Sequence, residues 1–148
     1  MNVDYKKGKD LRKEAPRSPK IILGGFAILA RTIDKCRSSL WGTMGEYEFD
    51  CELDNYLFTF KGLTGEDFKK FVSEEHSDDE IAVWIKKQGN SRTNIEIAQW
   101  TKQQISNNYS DDAEGKEWLE AKNKKFGLSK DGTLFDYLEV DDGASFEK

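Results

Sequence analysis

Histidine occurs once in this chain, at His76, and cysteine twice, at Cys36 and Cys51. Zinc sites draw on clustered nitrogen and sulfur ligands, and neither cysteine has a Cys-x-x-Cys partner, so no zinc site is expected. The same scarcity narrows nucleophilic catalysis. There is no Gly-x-Ser-x-Gly elbow, and His76 alone could serve either thiol as a base. Cys36 reads as core packing, and the acidic flanks of Cys51, Asp50 and Glu52, disfavour a thiolate there. His76 reads as a surface residue ahead of a helix N-terminus, among Glu74, Glu75, Asp78 and Asp79. No disulfide framework is implied, so the default is a cytoplasmic protein with reduced thiols.

Long apolar runs are missing too. The longest uncharged one, residues 21–30, is half the ~20 residues that a membrane-spanning helix needs. No secretory segment occupies the first twenty residues, so no membrane association is expected. Neither Gly24-Gly25 nor Gly42-Thr43-Met44-Gly45 leads into the Lys-Ser/Thr of a phosphate loop. Gly42 to Gly45 also fits the Gly-x-x-Gly of one RNA-binding fold, but Glu46 and Glu48 follow with the wrong sign. Asp131-Gly132 suggests a calcium loop until it is aligned on the invariant glycine. Gly127 and Leu138 then stand where carboxylates are required. Neither a metal nor another cofactor is expected, and no repeat or low-complexity tract occurs.

What the chain does have is aromatic residues and charge. Aromatics make up 12% of 148 residues and charged residues 34%, which suits a compact core under solvated helix faces. The net charge of -5 is unevenly spread, because residues 1–45 hold ten Lys/Arg against four Asp/Glu. A basic leading arm on an acidic body does not make the broad basic surface of a nucleic-acid binder; the opposite signs favour an arm folded back on the body.

The most apolar stretch, Ser18 to Gly42, predicts one long helix, with Ser18 as cap, Pro19 at the first position and Gly42 as left-handed terminator. Ile22, Phe26, Leu29, Ile33, Cys36 and Leu40 share its apolar face, and Arg31, Asp34, Lys35 and Arg37 its polar one. Gly24-Gly25 within a helix would cost roughly 1 kcal/mol each relative to alanine, which implies close approach of another helix or of a ligand. Tyr47, Phe49 and Cys51 alternate with acids as a short strand or extended loop. Helices follow over Leu53–Phe60, stopped by Gly62, and after the caps Thr64, Ser77 and Thr93. A charged helix opens at Ser110 or Asp111, and a short apolar one covers Thr133–Val140. The fold class is all-α: a compact bundle of six or seven helices around the long N-terminal one, with at most one short extended element. A basic extended arm over 1–17, a single helical domain over 18–140 and a frayed acidic tail over 141–148 complete the organisation.

Several short motifs stand in a recognisable order. They include Asp10-Leu11-Arg12-Lys13, Ala15-Pro16-Arg17-Ser18-Pro19, Leu23-Gly24-Gly25, Ile33-Asp34-Lys35 and Gly45-Glu46-Tyr47. Further on come Cys51-Glu52-Leu53-Asp54, Ser91-Arg92-Thr93, Ile97-Ala98-Gln99-Trp100 and Thr133-Leu134-Phe135-Asp136-Tyr137-Leu138. In order and spacing the chain resembles a bacterial family of domains of unknown function, number 5069 in that series, from Asp10 to Asp142. The resemblance implies domain boundaries and no particular chemistry.

One polar cluster is a candidate site. Arg31, Asp34 and Arg37 are neighbours at three-residue steps, and Asp34 can pair with either arginine. Arg17 comes near the helix start, and Glu46, Asp50 and Asp54 follow in the next segment. One reading is an ion-pair network that clamps the arm and the Glu46–Asp54 segment to the helix. The other is a pocket at Gly24 and Gly25 in which Arg17, Arg31 and Arg37 hold a small phosphate- or carboxylate-bearing anion, with Asp34 or Glu46 as acid or base. The absent catalytic motifs favour a binding or protein-interaction module over an enzyme. A contiguous exposed patch, on the Trp84 or Trp118 face, would mark a protein partner.

Overall fold

The structure is a computed structural model that describes residues 8–146. Seven helices succeed one another: α1 Leu29–Trp41, α2 Glu52–Lys61, α3 Gly65–Ser73, α4 Asp78–Lys87, α5 Asn94–Ile105, α6 Ala113–Lys125 and α7 Leu134–Phe146. Among the described residues the only β feature is an isolated bridge between Leu23 and Phe26. The all-α expectation holds. Segment 46–51 is an irregular loop rather than a strand.

The expected long helix is shorter than its apolar period suggested. α1 starts at Leu29, has 13 residues and is no longer than α6 or α7. Ile28 blocks any extension: it sits at φ 73°, a left-handed conformation costly for a β-branched side chain. Its N–H donates to the Pro19 carbonyl at 2.9 Å instead of entering a helical ladder. Ser18 to Ile28 form turns, and Ile22, expected on the apolar face, is 56% exposed. The terminator is where it was expected, with Gly42 at φ 70°.

What distinguishes α1 is burial on every side. Ten consecutive residues, Leu29 to Ser38, are buried, including the four charged ones expected on a polar face. α2, α3 and α4 pack on it, α2 also packs on α3, and α6 pairs with α7. Phe26, Ile33, Phe58, Phe68, Ile81, Ile85 and Phe135 fill the core with almost no exposure, and each such side chain contributes on the order of 1.5–3 kcal/mol by leaving water.

The caps follow the sequence. Thr64, Ser77 and Thr93 accept from the amides of Asp67, Glu80 and Glu96, and each box closes reciprocally. Asp112, rather than Ser110 or Asp111, caps α6. α7 overruns its expected end at Val140 and reaches Phe146, so the acidic stretch expected to fray is helical through that residue. Residues 1–7 of the expected arm, and 147–148 of the expected tail, lie outside the described residues. The part of the arm that is described packs on the body: Leu11 is buried and its N–H donates to the Thr43 carbonyl.

Candidate functional site

The charged side chains of α1 divide into two groups. The first is a closed ion-pair network. Arg17 wraps Asp34 with its backbone N–H at 2.8 Å, Nε at 3.0 Å and Nη2 at 3.0 Å. Its Nη1 donates to Asp78 at 2.7 Å. Arg37 donates to the other Asp78 oxygen and to the His76 carbonyl, each at 2.9 Å. Burial alone would raise the Asp78 carboxyl, but hydrogen bonds and charge from Arg17, then Arg37, outweigh it and hold the group below its ordinary range. Asp34 therefore pairs with Arg17, not with the two arginines of its own helix. Arg17 and Arg37 meet on a carboxylate from α4.

The glycine pair serves a turn, not a helix interior. Gly24 and Gly25 have φ of +60° and +91°, and Leu23 and Phe26 exchange both backbone hydrogen bonds across them. Positive φ at both central positions is the geometry of a type I′ turn, which glycine adopts without strain. A Cβ on Gly24 would stand 2.7 Å from the Cβ of Ala82, and one on Gly25 3.3 Å from Ile97. Positive φ is thus the first reason for the pair, and the close approach of Ala82 on α4 to Gly24 adds a second. The arginines converge elsewhere, so the pocket expected at Gly24 and Gly25 is not formed by them.

The second group floors a cleft of about 740 Å³, bounded by Leu11 and Arg12, the 45–53 segment, Tyr56, Tyr109 and α7. Arg31 makes a two-pronged pair with Asp142, at 2.7 and 3.1 Å. Tyr47 donates its phenol to the same carboxylate at 2.9 Å, while its ring lies 5.6 Å from the Arg31 guanidinium carbon. Burial, then the hydrogen bond to Asp142, pushes the Tyr47 phenol well up. One turn along α1, Lys35 pairs with Asp54 at 2.9 Å and donates to the Cys51 sulfur at 3.3 Å. Asp54 also accepts from Thr32 at 2.7 Å and from the Asp50 amide at 2.9 Å.

Two donors on this floor are left over. Arg31 is 4% exposed; its Nη1 also donates to the Arg17 carbonyl at 3.4 Å, and its Nε–H, shielded from solvent, has no hydrogen-bond partner among the described residues. Lys35 has three N–H groups and, among the described residues, these two partners. Leu53, Leu138, Phe146 and three tyrosines supply the walls, and Glu46, Glu48, Glu52 and Asp141 supply rim charge. Carboxylates lining the cleft outnumber cations five to three. Of the candidate residues, Arg31 and Glu46 share this cleft. Arg17, Asp34 and Arg37 belong to the closed network.

Sequence reasoning passed over Lys35, Tyr47 and Cys51 as site residues. Glu52, one of the acids counted against Cys51, instead accepts from the Tyr56 phenol, and Asp54 is matched by Lys35. The i to i+4 spacing of Arg31 and Lys35 was the available signal. His76 stacks on Phe71 at 3.8 Å and Phe71 on Trp84 at 4.4 Å, which leaves Trp84 half-buried; Trp118 is 44% exposed. Cys36 is fully buried, and burial pushes its thiol up to about 12. Among the described residues no group of three His, Cys, Asp or Glu could hold a metal ion, and no helix is long and apolar enough to cross a membrane.

A family model described as a domain of unknown function (DUF5069) matches residues 13–144. No curated protein matches the chain. The chain belongs to the DUF5069 family.

Proposed function

We propose that this DUF5069 protein is a binding module whose ligand is a small organic molecule seated in the cleft over Arg31 and Lys35. The observation that carries the reading is the cleft itself, which leucine and tyrosine side chains wall and the buried Arg31 and Lys35 floor. A cleft of about 740 Å³ is within the range that takes metabolite-sized ligands.

The lining narrows the ligand class. Leucine and tyrosine walls suit an apolar or aromatic body. Arg31 and Lys35 on the floor suit one carbonyl or carboxylate oxygen. The excess of carboxylates repels a multiply charged anion such as phosphate, and its rim members attract an amine at the ligand's outer end. Two free cysteines are in keeping with a reducing cytoplasmic setting.

A thermal-shift panel of aromatic monocarboxylates, amides, amino acids and phosphates tests this reading. A ligand at 100 times its Kd stabilises the fold by about 2.7 kcal/mol. The expected hits are carboxylates and amides with an apolar body, and they disappear in Leu138→Trp, which fills the cleft from its wall without touching an ion pair. Stabilisation by phosphates alone, or shifts that survive Leu138→Trp, would remove the cleft from consideration.

A further inference from the structure

The outer face of α4 is antisymmetric in charge. Asp79, Glu80, Val83, Lys86 and Lys87 recur at steps that place them on one stripe of the helix, and all five are exposed. On the opposite face Ile81, Ala82 and Ile85 are buried. The stripe is acidic at its start, apolar at its midpoint and basic at its end. The helix dipole favours acids at the start and bases at the end, but on any face. It does not account for a valine, a poor helix former, 54% exposed between them. Ile95 at 71%, Ile22 at 56% and Val83 are the three most exposed large hydrophobic side chains of the described residues. Ile22 is two residues from Gly24, which packs on Ala82, and Ile95 follows Asn94, which accepts from the Lys86 ammonium. Both isoleucines therefore border α4. Among the described residues Asp79, Lys86 and Lys87 have no partner of opposite charge, and Glu80 has only His76, at 3.8 Å.

We propose that this face is the interface of a symmetric dimer, its occupant a second copy of the same chain. A twofold axis at Val83 sets two α4 helices antiparallel. Asp79 then meets the partner's Lys87, each four residues from the axis, and Glu80 meets the partner's Lys86, each three residues from it. Every ionic contact occurs twice, and the two valines meet at the centre. A parallel pairing would set acid on acid and base on base. The valines and the bordering isoleucines lose water, and the ionic contacts fix the register. One short helix and its borders make a small interface, so the dimer is reversible and forms in the micromolar range. None of the stripe lines the cleft, so neither reading depends on the other.

Sedimentation velocity on the full chain, from about 1 to 500 μM, tests the inference. The wild type should pass from the monomer mass toward twice that mass as concentration rises. Asp79→Lys sets a lysine against the partner's Lys87, and Lys87→Glu sets a glutamate against the partner's Asp79. Both positions are exposed and lie outside the Ser77–Glu80 capping box, so the fold is kept. Each variant alone should associate at least about tenfold more weakly than the wild type. An equimolar mixture of the two should regain wild-type association, because each supplies the charge that the other reversed. Val83→Asp, which sets two carboxylates on the axis, should abolish association by itself. A wild type that stays monomeric throughout overturns the inference. So does a dimer that none of the variants weakens, which would use another face. Weakened variants whose mixture stays weak overturn it too, since the antiparallel register demands the rescue.

Discussion

The two ionic groups on α1 each join two basic side chains to two aspartates, but the α4-side group is the more exposed, through Arg17 and Asp78, and the two differ in how charge is shared. On the α4 side two arginines and two carboxylates interlock, so Arg17 touches both Asp34 and Asp78. On the cleft side each cation has one carboxylate, Arg31 with Asp142 and Lys35 with Asp54. Sharing makes the first group tolerant, because a lost partner leaves another. Exclusive pairing makes the second group brittle.

Removal of one carboxylate from each group is the strongest way to break this contrast. Asp54→Ala leaves Lys35, whose side chain is 4% exposed, without a counter-charge, and should cost about 4 kcal/mol. Asp34→Ala leaves Arg17 with Asp78 and a quarter of its side chain in water, and should cost about 2 kcal/mol. Urea denaturation at neutral pH measures both. Equal losses would mean that the sharing confers no tolerance.

Next in size, pH should separate the groups from opposite ends. Asp78 has a depressed folded carboxyl: burial opposes ionisation, but Arg17 and Arg37 prevail. Its stabilisation is present above the unfolded value and lost as the medium becomes more acid than about pH 4. Asp78→Asn should flatten that acid limb. Tyr47 has a raised folded phenol, first through burial and then through Asp142. Its contribution is complete below the unfolded value and lost as pH rises above about 10. Tyr47→Phe should flatten the alkaline limb and cost about 1.5 kcal/mol at neutral pH, as expected for a hydrogen bond to a charged group. Unfolding midpoints across pH would show this, and a Tyr47→Phe profile as steep in base as the wild type's would separate the phenol from the cleft floor.

The helix caps were legible because capping is local. Thr64, Ser77 and Thr93 each announce a start within four residues, and Gly42 and Gly62 each a left-handed stop. The start of α1 was not legible from periodicity, since Ile22 and Phe26 keep the helical spacing whether or not the backbone does. The contrary signal was the glycine pair, whose helical cost belongs to a positive-φ turn. Ion partners were beyond reach for a different reason. Arg17 and Asp78 are 61 residues apart and Arg31 and Asp142 are 111 apart, so neither pairing has a local sequence pattern. That second distance also explains the overrun of α7: Asp142 is drawn into the core by Arg31 and carries the last turns of the helix with it. The cleft went unread because its floor and its wall come from opposite ends of the chain.

The smallest expected effect calibrates both groups. Lys20 spans Asp136 and Glu139 on α7 at 2.6 and 2.8 Å, but all three side chains are more than a third exposed. Its geometry is as close as that of the buried pairs; only the solvent differs. Water already satisfies these groups in the unfolded chain, and screening weakens what attraction remains. Lys20→Ala should therefore cost less than about 1 kcal/mol, and that cost should fade in about 1 M salt while the Asp54→Ala deficit persists. Measured side by side in low and high salt, the two variants separate charge that merely meets from charge that burial has isolated. A Lys20→Ala loss as large and as salt-resistant as that of Asp54→Ala would mean that depth is not what makes the cleft floor brittle.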